Sequence, residues 1–152
     1  GGATYNGTAA NAYGVGPPPS TVAKARFVRY YIDSTTDTAH PTLMVDRMGG
    51  ETPQPVADDI EDLQLTYGLD TNADGIVDTW KGATSGSLWT PTTAELSQIR
   101  QVRLQLLART RLPESGWSET RPALGNHAAG TTADGYRRRI LDVVIDVRNS
   151  GG

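Results

Sequence analysis

Cysteine is absent from the 152 residues, which excludes disulfides, zinc–thiolate centres and thiol nucleophiles. Long apolar runs are missing as well. None approaches the ~20 residues of a membrane-spanning helix, or a secretory h-region, so this segment is expected to make no membrane contact. Basic charge is in deficit: 14 Lys and Arg stand against 17 Asp and Glu, giving a net charge of −3 and a pI near 5.3. That balance provides no general pull toward nucleic acid or anionic lipid, and the run Arg137-Arg138-Arg139 is too small to reverse it. Signatures of catalysis are lacking too. There is no nucleophile elbow, no phosphate-cradling loop and no metal-ligating histidine pair, and His40 and His127 fall in predicted loops, so no enzyme is expected.

What is plentiful is turn-forming residue. Seventeen glycines and nine prolines, with 37% hydrophobic residues, favour short strands joined by irregular connections over a helical bundle. The length fits one domain with a single core. The expected fold is therefore mainly β (α+β): an antiparallel sheet of four to six strands with one short helix and long loops. Residues 1–24, small and polar and carrying Pro17-Pro18-Pro19, read as an extended arm; 25–149 read as the β-rich domain and 150–152 as a tail.

Hydrophobic alternation places the strands. Ala25–Asp33 and Thr42–Met48 read as a hairpin pair. Leu63, Leu65, Tyr67 and Leu69 alternate with Gln64, Thr66 and Gly68, a half-buried strand. Val102, Leu104, Leu106 and Ala108 form one apolar face, and Leu141, Val143, Ile145 and Val147 another, within a final strand over 138–148. If those faces are core, replacing Leu65, Leu104 or Val143 by Ala costs about 2–5 kcal/mol. A short strand is expected at Ile76–Trp80. Thr92 and Glu95 have capping-box spacing and predict a two-turn helix over 93–100. Asp58, Asp59, Glu61 and Asp62 read as a turn with a solvated acidic face. Residues 110–135 read as one long irregular connection, in which Trp117 is the aromatic best placed for an exposed contact. Arg103, Arg109 and Arg111, with Arg137-Arg138-Arg139, are expected to solvate the polar face of a sheet and pair with Asp142 and Asp146 and not to form a phosphate-binding stripe.

The stretch Asp70-Thr71-Asn72-Ala73-Asp74-Gly75-Ile76-Val77-Asp78 sets oxygen donors at loop positions 1, 3, 5 and 9, with glycine at 6 and the Ile76 carbonyl at 7. Calcium takes six to eight oxygens, and this spacing can wrap them around one ion. Lys81 stands at position 12, where an EF-hand has its bidentate glutamate, so the expected affinity is only about 10⁻⁴–10⁻³ M. The ligands would be Asp70, Asn72, Asp74, Ile76 and Asp78, in a structural role. Asp74-Gly75 equally marks a hairpin tip with no ion at all.

The run Val56-Ala57-Asp58-Asp59-Ile60-Glu61-Asp62-Leu63-Gln64-Leu65-Thr66-Tyr67-Gly68-Leu69-Asp70 resembles the "V-x-x-x-V/I-E-D-L-x-x-x-Y-G-x-D" segment of PilW-type minor pilins of type IV pili. Val102–Arg109 is similar to the "V-R-x-x-L-L-x-R" strand of that family, and Arg138-Arg139 through Arg148-Asn149 to its C-terminal "R-R … R-N" strand. The family in turn resembles the J-type pseudopilins of type II secretion systems. The resemblance implies a β-rich head and a place in the periplasm or on the cell surface. It also implies other pilin or minor pilin subunits as partners, and a structural role in filament initiation, tip assembly or surface contact. It implies further a prepilin leader and a long apolar N-terminal helix, which the sequence given does not contain and which a partner chain would otherwise supply. The other reading of the residues is a free-standing calcium-binding adhesion or carbohydrate-binding β-module.

Overall fold

The computed structural model describes residues 27–84 and 87–147. The expected arm at 1–24 and the tail at 150–152 lie outside the described residues, as do Ala25, Arg26 and Arg148. Among the described residues, nine strands and one helix follow in the order β1 (Arg29–Asp33), β2 (Thr42–Asp46), β3 (Gln54–Asp58), β4 (Ile60–Leu69), β5 (Thr79–Gly82), α1 (Thr93–Gln98), β6 (Ile99–Arg109), β7 (Glu119–Thr120), β8 (Ala133–Asp134) and β9 (Arg138–Asp146). They form three antiparallel sheets: β1-β2-β3, β5-β4-β6-β9, and the small pair β7-β8. The fold is thus mainly β, as the composition indicates, but its strands are divided among three sheets.

The hairpin of β1 and β2 forms as the alternation predicts, with Ile32 opposite Leu43 and Tyr30 opposite Val45. Its first strand is shorter than expected. Phe27 and Val28 precede it and are exposed. The strand β3 falls partly where a turn was expected. Pro55, which donates no ladder hydrogen bond, is tolerated because β3 is an edge strand and the ladder is irregular beside it, between Leu43 and Met44. A second edge element, β5, begins at Thr79 and not at Ile76, because the bends of the loop run through residues 71–76 and the chain rejoins β4 only at Asp78, whose N–H donates to the Leu69 carbonyl.

The helix keeps its expected start and ends two residues early. The Thr92 hydroxyl accepts from the Glu95 N–H, and the Glu95 carboxylate accepts from the Thr92 N–H at 2.8 Å, a complete capping box. Lys81 Nζ donates to the same carboxylate at 2.6 Å and, with the Thr92 groups, lowers the Glu95 pKa to about 2.

The largest sheet has one consistent phase. Leu63, Leu106 and Leu141 stand side by side across β4, β6 and β9, and so do Leu65, Leu104 and Val143, then Tyr67, Val102 and Ile145. These are the residues that alternation placed on common faces. The opposite face carries Asp62, Gln64 and Thr66 on β4, with Leu107, Gln105 and Arg103 on β6. The core does not lie where the pattern suggests. Leu69 and Leu107 are the most buried large apolar residues, joined by Leu124, Ile60, Leu43 and Val45. Leu65 is 41% exposed, Val143 39% and Ile145 53%. The expectation that Leu65 and Val143 are core is therefore corrected: they share a face, but the described residues leave that face partly open.

Candidate docking face and its framing acids

Tyr30 and Leu43 from the small sheet, with Leu63, Leu65, Leu104, Leu106 and Ile145 from the large one, line an apolar groove of about 430 Å³. Around it Leu141 and Val143 extend the apolar surface along β9. Large contiguous apolar surface is uncommon on a domain that functions alone, and marks contact with another element.

One end of this face is fixed by acids that were expected to be solvated. At the corner between β3 and β4, Asp59 adopts φ +58° and is 7% exposed. His40 Nδ1 lies 2.7 Å from its carboxylate, and its backbone carbonyl accepts from the Arg109 N–H. Glu61 stands at a bulge between Ile60 and Asp62. Its carboxylate accepts from Arg138 Nε at 2.8 Å and from Arg109 Nη1 at 3.3 Å. Arg138 also donates to Asp134 at 2.6 and 2.7 Å, so one guanidinium joins β9, β4 and β8. These pairings raise the Arg138 pKa and lower that of Asp134. Asp62 is 3% exposed and receives Arg121, Gln64 Nε2 at 2.8 Å and, at 2.8 Å, His127 Nδ1. The reading of this stretch as a solvated face holds for Asp58, which is exposed, and is overturned for Asp59, Glu61 and Asp62: these are stapled to histidines and arginines from distant segments, and their desolvation is offset by those partners.

The long connection 110–135 is ordered by the same acids. Arg121 and His127 hold its middle against the free side of β4, and Gly125 there is required, because a Cβ would come within 2.9 Å of Gln64 Cγ. Leu124 is buried as a result. Trp117, expected as an exposed contact, is 38% exposed, with one face of the ring against Arg137, whose guanidinium lies 3.9 Å from the ring centroid. Arg137 in turn pairs with Glu114, and Arg103 pairs with Asp142. Of the basic residues near the C-terminus, Arg137 and Arg138 are thus engaged with carboxylates. The expected pairing with Asp142 is present, whereas Asp146 accepts from Gln101 Nε2.

The β4–β5 loop closes on itself. Asp70 is 2% exposed and accepts from the Asp74 and Gly75 N–H groups and from Arg100 Nε at 3.2 Å. Asp74 accepts from the Ile76 N–H, and Asp78 from the Thr71 N–H and hydroxyl, which lowers the Asp78 pKa. Carboxylate oxygens of Asp74 and Asp78 both approach the Asn72 Nδ2 atom, at 3.2 and 3.4 Å. Among the described residues no group of three His, Asp or Glu side chains is placed to hold a metal. The expected ligands are thus close in space, with Asp74 and Asp78 converging and Asp70 committed to Arg100. Gly68 explains the glycine that precedes the loop: a Cβ there would meet both Val77 methyls at 2.9 Å.

An open apolar face, framed by buried ion pairs and distant loops, belongs to a β-rich domain with the kind of surface that marks contact with another element. Its sequence says which family of domain this is. Residues 29–149 match the model of the type IV pilus-assembly protein W family (PilW), and the chain belongs to that family, one of pilus assembly and not of enzymes. No curated protein and no solved structure matches the chain.

Proposed function

We propose that the chain is the globular head of a minor pilin, a structural subunit that helps initiate or tip a type IV pilus or makes its surface contacts. The supporting observation is the open face of β4, β6 and β9, with Leu65, Val143 and Ile145 exposed while most of the charged side chains around it are paired off. Burial of such a face is worth about 25 cal/mol per Å², so a long apolar helix, from the same polypeptide or from a partner subunit, is its natural cover. In this reading the head works in the periplasm or on the cell surface, where other pilus components supply the contacts.

The test is to place Leu65→Asp and Val143→Asp, separately, in the intact gene in its host. Each variant head is expected to melt close to the parent, because the positions are exposed. Each should weaken association with pilus partners about 10–30-fold, the loss typical of a central contact, and reduce surface pili accordingly. Normal pilus numbers with a charge on this face would overturn the proposal.

We propose in addition a structural calcium ion on the β4–β5 loop, held by Asp70, Asn72, Asp74, the Ile76 carbonyl and Asp78. Support comes from donor chemistry, all hard oxygen, and from the convergence of Asp74 and Asp78 on an amide nitrogen. With the affinity of about 10⁻⁴–10⁻³ M given by the spacing, calcium at about ten to a hundred times that dissociation constant stabilises by about 1.4–2.7 kcal/mol. The expected readout is a melting temperature several degrees higher in about 10 mM calcium, with no such gain for Asp74→Asn. An unchanged melting temperature strikes the ion from the proposal.

A further inference from the structure

The strand β9 closes the largest sheet, and among the described residues it pairs only with β6. Two bonds bracket that ladder and set its phase: the Thr110 N–H donates to the Arg137 carbonyl, and the Val147 N–H to the Arg100 carbonyl. Odd-numbered residues of β9 therefore aim their peptide groups at β6. Even-numbered residues, from Arg138 through Ile140, Asp142 and Val144 to Asp146, aim theirs outward.

Sheet edges are normally blunted by shortness, proline, lysine or a bulge. None of these devices is present here. The strand runs nine residues, holds no proline or lysine, and keeps an unbroken register with β6. Its carboxylates are drawn back toward β6, Asp142 by Arg103 and Gln105 and Asp146 by Gln101. Alongside exposed Arg139, Asp142 and Asp146, the rim is largely apolar: Ile140, Leu141, Val143, Val144 and Ile145 are each 39–53% exposed.

We propose that this edge pairs with the same edge of a second copy of the chain, antiparallel about a two-fold axis at Val143, to give a continuous eight-stranded sheet. That axis preserves the two faces of the sheet and joins outward peptide groups to outward peptide groups. It sets Leu141 opposite Ile145 of the other copy, Asp142 opposite Val144 and Ile140 opposite Asp146, so no like charges meet over residues 140–146. An axis one residue earlier is disfavoured, because it would oppose Asp142 to its own copy. The pairing reverses chain direction between the two copies. It is therefore a state of the free subunit, excluded wherever all subunits point the same way.

An interface of one strand pair falls in the small, weak class, so the expected dissociation constant is about 10–100 µM. Sedimentation across that range is expected to show a monomer–dimer equilibrium for the parent. Val144→Pro removes only an outward N–H and leaves the β6 ladder whole, so it should weaken dimerisation at least about tenfold without changing the circular dichroism. Hydrogen exchange on the parent provides an independent reading. Amides of Ile140, Asp142, Val144 and Asp146 should gain protection as concentration rises, while those of Leu141, Val143 and Ile145 are already slow. A parent that stays monomeric overturns the proposal. So does a dimer that survives Val144→Pro, or even-numbered amides whose protection ignores concentration.

Discussion

Replacing Arg138 by methionine is expected to destabilise the protein by about 3–5 kcal/mol, the range for breaking a buried ion pair by removing one partner. Methionine keeps much of the stem and its packing, so the loss isolates the guanidinium. That side chain is 3% exposed and makes paired contacts to Glu61, at 2.8 and 3.1 Å, and to Asp134. Its removal leaves Glu61, only 11% exposed, with Arg109 at 3.3 Å as its remaining cation. It also unties β9 from the β4 bulge and from β8. Urea unfolding measures the effect, and a loss below about 1 kcal/mol would show that the pairing is a surface one. Arg138→Lys keeps the charge but not the two-pronged geometry and should fall between. Glu61→Gln added to Arg138→Met should recover part of the loss, because no buried charge is then left alone. The acid limb of stability supplies a check of sign. The Asp134 pKa is depressed mainly by its hydrogen bonds from Arg138, so its contribution is present above the ordinary aspartate range and fades as pH falls through the lowered value. In Arg138→Met that dependence should shrink.

Why such an arginine was invisible in the chain is a matter of distance. Glu61 and Arg138 are separated by 77 positions, Asp62 and His127 by 65, and Asp62 and Arg121 by 59. Local composition around Asp58–Asp62 shows only acids near a turn, and acids near turns are commonly solvated. The one local clue was that Glu61 and Asp62 interrupt a segment otherwise destined for a sheet interior. Signals with short range behaved differently. The capping box of Thr92 and Glu95 and the hairpin of β1 and β2 close over a few residues and were legible. Alternation along β4, β6 and β9 identified which side chains share a face, since period two is a property of each strand alone. It could not say whether that face is covered, because the cover is not in the strand. For the β4–β5 loop, the spacing of Asp70, Asn72, Asp74 and Asp78 correctly marked a sharp turn, but gave no sign that Arg100 of β6 would reach Asp70.

The distinction between sharing a face and being buried makes the second large prediction. Leu107→Ala is expected to cost about 2–5 kcal/mol, whereas Leu65→Ala should cost less than about 1 kcal/mol. Both residues lie mid-strand in neighbouring strands, and both belong to an alternating pattern. Leu107, however, points to the side opposite Leu104 and Leu106, between Asp62 and Ile140 in the ladder, and is 0% exposed. Truncating it leaves a cavity that surrounding side chains, several of them fixed in ion pairs, can collapse into only partly. Leu65 at 41% exposure leaves no cavity, and its methyl groups are already in water for much of their surface. Simple reading of the β6 pattern ranks these two the other way, since Leu107 sits among Arg103, Gln105 and Arg109. Equilibrium unfolding in urea at one pH, with equal m-values confirming a common unfolded state, decides between the rankings. Equal losses at both positions would mean that the face of β4, β6 and β9 is covered in the isolated chain, and the docking role assigned to it would go.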